Sequence, residues 1–311
     1  MGYEPLISIG LPVYNGERHI RQALDSLLAQ NYGDFELIIS DNASTDETQQ
    51  ICLEYAARDE RIRYYRNERD MGGTWNFNRV FELSAGEYFM WAAHDDYYDR
   101  RYLGACLKAF GISDAIVLAG TMCESIAPET GELILIDHGL STIGLKPRER
   151  FKHYKSMLHC GKKNVGGIFY GVYKRDALRK VMPLKKVIAT DHILLAELSF
   201  QGEFVTVQEK LMTKRYGGTS KSFESIAHSE CITNPVLIKH SYLVREVLLQ
   251  RIIFSTDKLT LWEKITLACW SFSNYVKVHF IPALRRRLRT MARNSATIHA
   301  RELWRSVVRQ R

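Results

Sequence analysis

With 311 residues, 46% hydrophobic and 25% charged, the chain has an ordinary globular composition and is long for one hydrophobic core, which predicts a large domain with an appendage. Its net charge of +8 sits at one end: residues 277–311 hold ten Lys/Arg and one Glu, and taking these from totals of 43 and 35 leaves 33 basic against 34 acidic residues elsewhere. The opening MGYEPLISIG carries nothing that marks it for secretion, no apolar run reaches the ~18 residues of a membrane span, and six scattered cysteines without a CxxC fit reduced thiols better than a disulfide framework or a zinc site.

In chain order, residues 6–12 (LISIGLP) predict a short buried strand, and 17–30 a helix with Ile20, Ala23, Leu24, Leu27 and Leu28 on one face. Residues 35–41 (FELIISD) repeat the strand pattern. A helix over 45–58 follows, its start marked by Ser44 with Glu47 three residues on, the spacing of a capping box. Since Ser44 serves as the cap, Asp41 stands at the end of its strand without a local structural duty and becomes a ligand candidate. Residues 61–66 predict a third strand, 72–85 a third helix, and 87–93 a strand leading to the adjacent carboxylates Asp95 and Asp96. Asp99 reads as the cap of a helix over 100–110. Further strands are predicted over 115–120, near 133–136, over 168–174 and over 204–212, with helices over 147–158 and after Asp191 (HILLAELSFQ). Residues 214–222 (KRYGGTSKS) read as a basic, glycine-bearing loop, and 226–275 as mainly helical, broken near Pro235 and at 255–256. All six cysteines (Cys52, Cys106, Cys123, Cys160, Cys231 and Cys269) read as core filler.

Strands alternating with helices at short spacing predict a doubly wound, mainly parallel α/β sheet flanked by helices. Ligands bind such sheets at the carboxyl ends of the strands. The turn after Pro12, Asp41 and the Asp95–Asp96 pair all fall there. Two adjacent carboxylates repel by several kcal/mol at an effective dielectric near ~20, so a buried pair invites a divalent cation; a turn in which both acids are solvated is the alternative. Neither G-x-G-x-x-G after a strand nor G-x-x-x-x-G-K-[ST] occurs, which disfavours a dehydrogenase and a P-loop NTPase.

PVYNGERHIRQALDSLLAQ, FELIISDNASTDET, GGTWNFNR, GEYFMWAAHDDYYD, and IATDHILLAELSFQGEFV followed by KRYGGTS stand in the order of an inverting family 2 glycosyltransferase of GT-A fold, which the chain resembles over roughly its first two thirds. The resemblance implies transfer of a sugar from a UDP- or dTDP-linked donor to a hydroxyl of a glycan or lipid-linked acceptor, in surface polysaccharide synthesis. By motif position, Pro12, Tyr14 and Glu17 would contact the nucleoside, Asp41 the base and Asp95 the ribose. Arg69 in the RNERDMGG loop is a further donor-side candidate, with a solvated charge as its alternative. Asp96 would hold Mg²⁺ or Mn²⁺, and Asp191 would be the base that takes the acceptor's proton. Two departures stand out: Ala93 where the family often has a further carboxylate, and Tyr216 where it often has a histidine. They leave open an inactive sugar-nucleotide-binding or scaffold protein, and a nucleotidyltransferase is a third class.

The expected division is a GT-A domain over 1–222 and a helical extension over 223–311. In its basic tail, Leu284, Leu288, Met291 and Ile298 recur at roughly helical spacing among arginines, which suggests attachment to an anionic membrane surface, with Trp262, Trp270, Phe272 and Tyr275 near the interface. A solvated tail is the alternative. Nucleic acid is not an expected partner. The predicted location is cytoplasmic, peripheral on the cytoplasmic face of the membrane.

Overall fold

The computed structural model describes residues 5–158, 167–215, 232–234 and 238–282. Its first half is built on four parallel strands: β1 (Ile7–Val13), β2 (Phe35–Asp41), β3 (Ile62–Arg66) and β4 (Tyr88–Trp91), lying side by side as β3-β2-β1-β4. Every residue of β1 and β2 is buried, the condition of parallel strands covered on both faces, which their near-continuous Ile, Leu and Phe content anticipates. Helices α1 (Ile20–Leu28), α2 (Thr48–Ala56) and α3 (Gly73–Glu82) make the crossovers. α1 buries Ile20, Ala23, Leu24 and Leu27, the face its sequence presents. Gly10 in the middle of β1 admits α3 closely, for a Cβ there would lie 2.7 Å from Cγ2 of Val80.

Beyond β4 the sheet changes sense. β8 (Val172–Lys174) lies antiparallel between β4 and β6 (Ile116–Ile126), and β9 (Glu203–Arg215) runs parallel to β6. β5 (Tyr97–Tyr98) and β7 (Leu133–Asp137) add antiparallel pairings to β9 and β6. The result is one mixed nine-stranded sheet. Helices α4 (Tyr102–Phe110), α5 (Pro147–Leu158), α6 (Arg175–Arg179), α7 (Thr190–Gln201) and α8 (Ser241–Ser255) complete this part of the chain.

Several predicted elements differ in detail. The strand expected over 168–174 is a 3₁₀ turn (Ile168–Tyr170) followed by the short β8. Tertiary contacts override its β propensity: Phe169 stacks on Trp91 with ring centroids 5.0 Å apart, and the Tyr170 carbonyl accepts from the Tyr102 hydroxyl at 2.9 Å. β9 runs on to Arg215 because β6 pairs with it that far, so Lys214 and Arg215 belong to a strand rather than to a loop. Tyr216, Gly217, Gly218 and Lys221 lie outside the described residues. Asp99 does not cap α4; it accepts from the Arg101 backbone N–H at 2.9 Å and pairs with the Arg101 guanidinium.

Two buried cations hold the helical layer. Arg150 donates to the carbonyls of Ser199 and Phe200, orphan acceptors in the last turn of α7, and to that of Leu145 ahead of α5. Lys155 of α5 meets Glu246 of α8 at 2.6 Å with both side chains almost wholly buried. Burial pushes the Lys155 ammonium below its ordinary pKa while Glu246 pulls it back up. Cys52, Cys106 and Cys123 are buried, which pushes their thiols up to about 12. Cys269 is exposed, contrary to its reading as core filler, and Cys160 and Cys231 lie outside the described residues.

By its internal contacts the chain divides into two compact units, residues 1–259 and 260–311. In the second, α9 (Leu261–Tyr275) opens on a capping box, with the Thr260 hydroxyl accepting from the Glu263 N–H and the Glu263 carboxylate accepting from the Thr260 N–H at 2.9 Å. A π-helical turn (Val276–Phe280) follows. No described helix is long and apolar enough to cross a membrane.

Candidate active site

The parallel register aligns the strand ends: Val13 is opposite Asp41, and Asp41 opposite Arg66. The two loops leaving β1 and β2 are sewn to each other. The Asn15 N–H donates to the Ser44 hydroxyl at 2.9 Å, the Gly16 N–H to the Thr48 hydroxyl at 2.8 Å, and the Glu17 N–H to Asp46 at 3.1 Å, while the Thr45 N–H donates to the Asn15 side chain at 2.8 Å. Asn15 and Ala43 hold positive φ, of 49° and 63°, in these turns, and Ala189, just ahead of α7, does so at 63°. Such backbone is strained for alanine, and here all three instances among the described residues sit on loops that carry candidate ligands.

This stitching overturns the capping box at Ser44. α2 starts at Thr48 with Glu47 as its N-cap residue, and the Ser44 hydroxyl is committed to the β1 loop. Asp41, in turn, has structural partners. Its carboxylate, with 0% exposure, accepts from the Ser44 N–H at 2.8 Å and the Tyr64 hydroxyl at 2.7 Å, with the Arg66 Nε at 3.6 Å. Burial first, and then the bond to Asp41, push the Tyr64 hydroxyl well above its usual range. Asn76 on α3, also buried, donates to the Ser40 carbonyl at 2.7 Å and accepts from the Ser40 hydroxyl at 2.6 Å, and Asn67 bridges to Asn42 at 3.0 Å. Tyr64, Arg66 and Asn76 were not singled out by sequence, although Arg66 and Asn76 fall within the RNERDMGG and GGTWNFNR stretches, because nothing in the spacing shows that they turn toward Asp41 and Ser40.

The second cluster gathers around Asp96. β4 and the turn after it deliver Asp96 to a position 2% exposed, where its carboxylate accepts from the Arg215 backbone N–H at 3.1 Å. The Arg215 guanidinium donates to the Asp95 carbonyl and to the Gln22 side chain and lies over the Tyr97 ring. Lys214 sits 4.5 Å from the Tyr170 ring centroid, a cation–π contact. Burial alone would depress its ammonium, but Tyr170, Asp96, Cys123 and Asp191 outweigh that and raise it. Asp137, buried and bonded by the Gly139 and Gly167 N–H groups, also feels Lys214; burial nevertheless holds its carboxyl above the ordinary range. The ring of His94 packs on Gly16, where a Cβ would come within 2.8 Å of it.

Asp191 lies in the first turn of α7, 35% exposed, with His192 Nε2 at 3.8 Å. His192 in turn contacts the Arg245 guanidinium through Nδ1 at 3.1 Å. Neither Thr190 nor Asp191 caps the helix, since its N-cap residue is Ala189 and no side chain bonds there. Tyr170, raised first by burial, feels Asp96, Asp95 and Asp191 together, so the three carboxylates share one region. Of the remaining candidates, Pro12 is buried in β1, Tyr14 and Arg69 are exposed, and the Glu17 carboxylate accepts from the Glu47 N–H at 2.9 Å, capping α2 from outside.

Asp96 fits a divalent cation by its own chemistry. Burial pushes its carboxyl up to about 7, Asp95 adds to the rise, and Lys214 and Arg215 only partly offset it, so a further positive charge would stabilise the anion. Among the described residues no three His, Cys, Asp or Glu side chains cluster for a metal, so protein carboxylates and imidazoles alone would not complete a shell around a cation at Asp96.

The sequence model of glycosyl transferase family 2 matches residues 8–181. The chain belongs to this family. The matched stretch carries Asp41, Asp95 and Asp96, whereas Asp191, Lys214 and Arg215 lie beyond it. Among curated relatives, an uncharacterized glycosyltransferase of Rickettsia typhi is 41% identical over 96 residues, which are 31% of this chain and 29% of the relative. GlyA of Streptococcus pneumoniae is 31% identical over 102 residues, 33% of this chain and 14% of that protein. EpsH of Bacillus subtilis is 29% identical over 204 residues, 64% of this chain and 56% of EpsH. The chain thus spans less than two thirds of each of these relatives. Its fold is similar to Staphylococcus aureus TarS 1–349 in complex with UDP, at a TM-score of 0.58 and 16% identity, covering 88% of this chain and 72% of TarS 1–349. It is also similar to the mannosyltransferase PcManGT of Pyrobaculum calidifontis in complex with GDP-Man and Mn²⁺, at a TM-score of 0.50 and 14% identity, covering 93% of this chain and 80% of that one. The GT-A architecture is therefore common to all three.

Proposed function

We propose that the protein is an inverting, metal-dependent glycosyltransferase that moves a sugar from a UDP- or dTDP-linked donor to a hydroxyl of a glycan or lipid-linked acceptor, in surface polysaccharide synthesis. The observation that carries this reading is that Lys214 lies 4.5 Å from the ring centroid of the half-buried Tyr170, on which Asp95, Asp96 and Asp191, from two separate stretches, also act. TarS in complex with UDP-GlcNAc and PcManGT in complex with GDP-Man support a nucleotide sugar donor, and the Mn²⁺ of the latter supports a divalent cation.

In this reading Pro12, Tyr14, Glu17, Asp41 and Arg69 form the nucleoside side of the donor site and Asp95 the ribose side. Asp96 would hold Mg²⁺ or Mn²⁺, which when bound would supply Lewis-acid neutralisation of the leaving diphosphate. Lys214 and Arg215 add fixed positive charge where the diphosphate develops its own. Asp191 takes the proton of the acceptor hydroxyl as that oxygen forms its bond to the anomeric carbon, and the bonding pair of the old linkage leaves with the diphosphate. A lipid-linked acceptor would be met at the cytoplasmic face of a membrane, and the basic character of residues 277–311 favours that placement.

Purified protein offered a panel of nucleotide sugars, a polyprenyl-phosphate-linked glycan and Mn²⁺ should release nucleoside diphosphate. Release of pyrophosphate would instead identify a nucleotidyltransferase, and donor binding without turnover on any acceptor would identify a scaffold. Full activity in Asp96→Ala would remove the metal role.

A further inference from the structure

The glycosyl-transfer reading makes no use of α9. Its buried positions, Leu267, Ala268 and Ser271, supply a packing side of ordinary kind. A second apolar stripe adjoins them and turns outward. Leu261 is 70% exposed and Trp262 72%, and Ile265, Cys269 and Phe272 are exposed as well. At 100° per residue these five positions fall within an arc of about 100°, the width of a helix face made for burial. In the π-helical turn and just beyond it, Val278, Phe280 and Ile281 remain exposed too. Trp270 and Tyr275, by contrast, lie off this arc and are half-buried, so of the aromatic residues in the segment only Trp262 and Phe272 of α9 belong to the stripe.

We infer that this stripe is a docking face for an anionic lipid bilayer, on which α9 lies in the plane of the headgroups. Charge decides the occupant. The 35 residues from 277 onward carry ten Lys/Arg against one Glu, so a second copy of the chain would bring like charge to like, whereas an anionic leaflet neutralises it. The stripe's composition decides against nucleic acid, since Leu, Ile and Phe offer phosphates nothing, while Trp262 has the amphipathic ring favoured at the membrane–water boundary. Length decides against spanning: no described helix can cross a bilayer, and a helix with one apolar face lies flat. The inference stands independently of the transferase reading, since it uses no residue of the candidate active site.

The test is co-sedimentation of the 311-residue chain with vesicles of equal parts phosphatidylglycerol and phosphatidylcholine, against pure phosphatidylcholine. Binding should be roughly tenfold or more tighter to the anionic vesicles and should fall as salt rises from about 0.1 M to about 1 M, where the screening length shrinks from about 10 Å to about 3 Å. Ile265→Asp with Phe272→Asp should weaken binding to anionic vesicles by roughly tenfold while leaving nucleoside diphosphate release from soluble substrates unchanged. As a check that needs no disruptive change, brominated lipid should quench tryptophan emission in the native chain, and Trp262→Phe should remove most of that quenching. Equal binding to both vesicle types, unaltered binding by the Asp variant, or quenching that survives Trp262→Phe would each overturn the inference. So would concentration-dependent dimers, seen by sedimentation velocity without lipid and abolished by the Asp variant, because the stripe would then be a self-contact.

Discussion

The two ends of the candidate active site are held together by different physics. Around Asp41 the loops are joined by neutral hydrogen bonds among Ser40, Ser44, Asn15, Asn67 and Asn76, and Asp41 itself is fully enclosed by partners. Around Asp96 there are few such bonds and many charges: Asp95, Asp96, Asp137 and Asp191 against Lys214 and Arg215, in surroundings whose burial disfavours the anions of Asp96 and Asp137. The first end is finished without a ligand, as a rigid cradle should be. The second stores electrostatic cost that a metal and a diphosphate would relieve, and preorganised charge in a dry site is the form in which catalysis is usually supplied.

Substitutions can break this contrast from either side. The largest effect is expected at Asp191. Asp191→Asn keeps the shape but cannot accept a proton, so kcat should fall by about 10²–10⁴-fold with donor affinity nearly unchanged, as read by steady-state kinetics and calorimetric titration of donor. On the cradle side, Asn76→Ala leaves the Ser40 hydroxyl and carbonyl to find new partners in a buried place. A loss of about 1–3 kcal/mol in chemical denaturation is expected, together with a higher donor KM.

Asp96→Asn should do the opposite of Asn76→Ala and stabilise the fold. A carboxyl pushed from 3.8 to about 7 binds its proton more tightly when folded than when unfolded. Native stability attributable to it is therefore lost as pH rises from about 4 to about 7, and the loss is constant above that. The variant lacks this slope, so its advantage should grow over the same window and level off at about 1 kcal/mol or more, while activity disappears. A variant no more stable than the native chain at pH 8 would mean that Lys214 and Arg215 already neutralise Asp96 in full.

Sequence alone made the sheet legible because parallel strands buried on both faces announce themselves as apolar runs, and β2 coincides with its predicted span. The Asp95–Asp96 pair was legible for the same reason, standing at the end of such a run. What sequence could not carry were contacts between distant loops. Ser44 with Glu47 has the spacing of a cap, yet the serine hydroxyl goes to Asn15, 29 residues away, because register brings the β1 and β2 loops together. Lys214 reads as a loop residue next to Tyr216-Gly217-Gly218, and only the long β6–β9 pairing turns it inward over Tyr170. In α9 the sequence marked Trp262 and Phe272, which are exposed, together with Trp270 and Tyr275, which are half-buried, because aromatic residues alone do not tell which side of a helix is packed.

The smallest effect, and the finest probe of the contrast, is Glu17. It sits at the mouth of the cradle, exposed, with its carboxylate on the Glu47 N–H at the start of α2. A cap of this kind contributes about 0.5–1 kcal/mol, and being exposed it should be at the low end. If the cradle is complete without ligand, Glu17→Ala should lower stability by that amount in thermal or urea unfolding and raise donor KM by no more than about threefold, with Glu17→Gln recovering part of the cap through its amide oxygen. A rise in KM well beyond that, unaccompanied by a change in stability, would show Glu17 bonded chiefly to the donor. The cradle would then resemble the Asp96 end in leaving a charge for the ligand to satisfy.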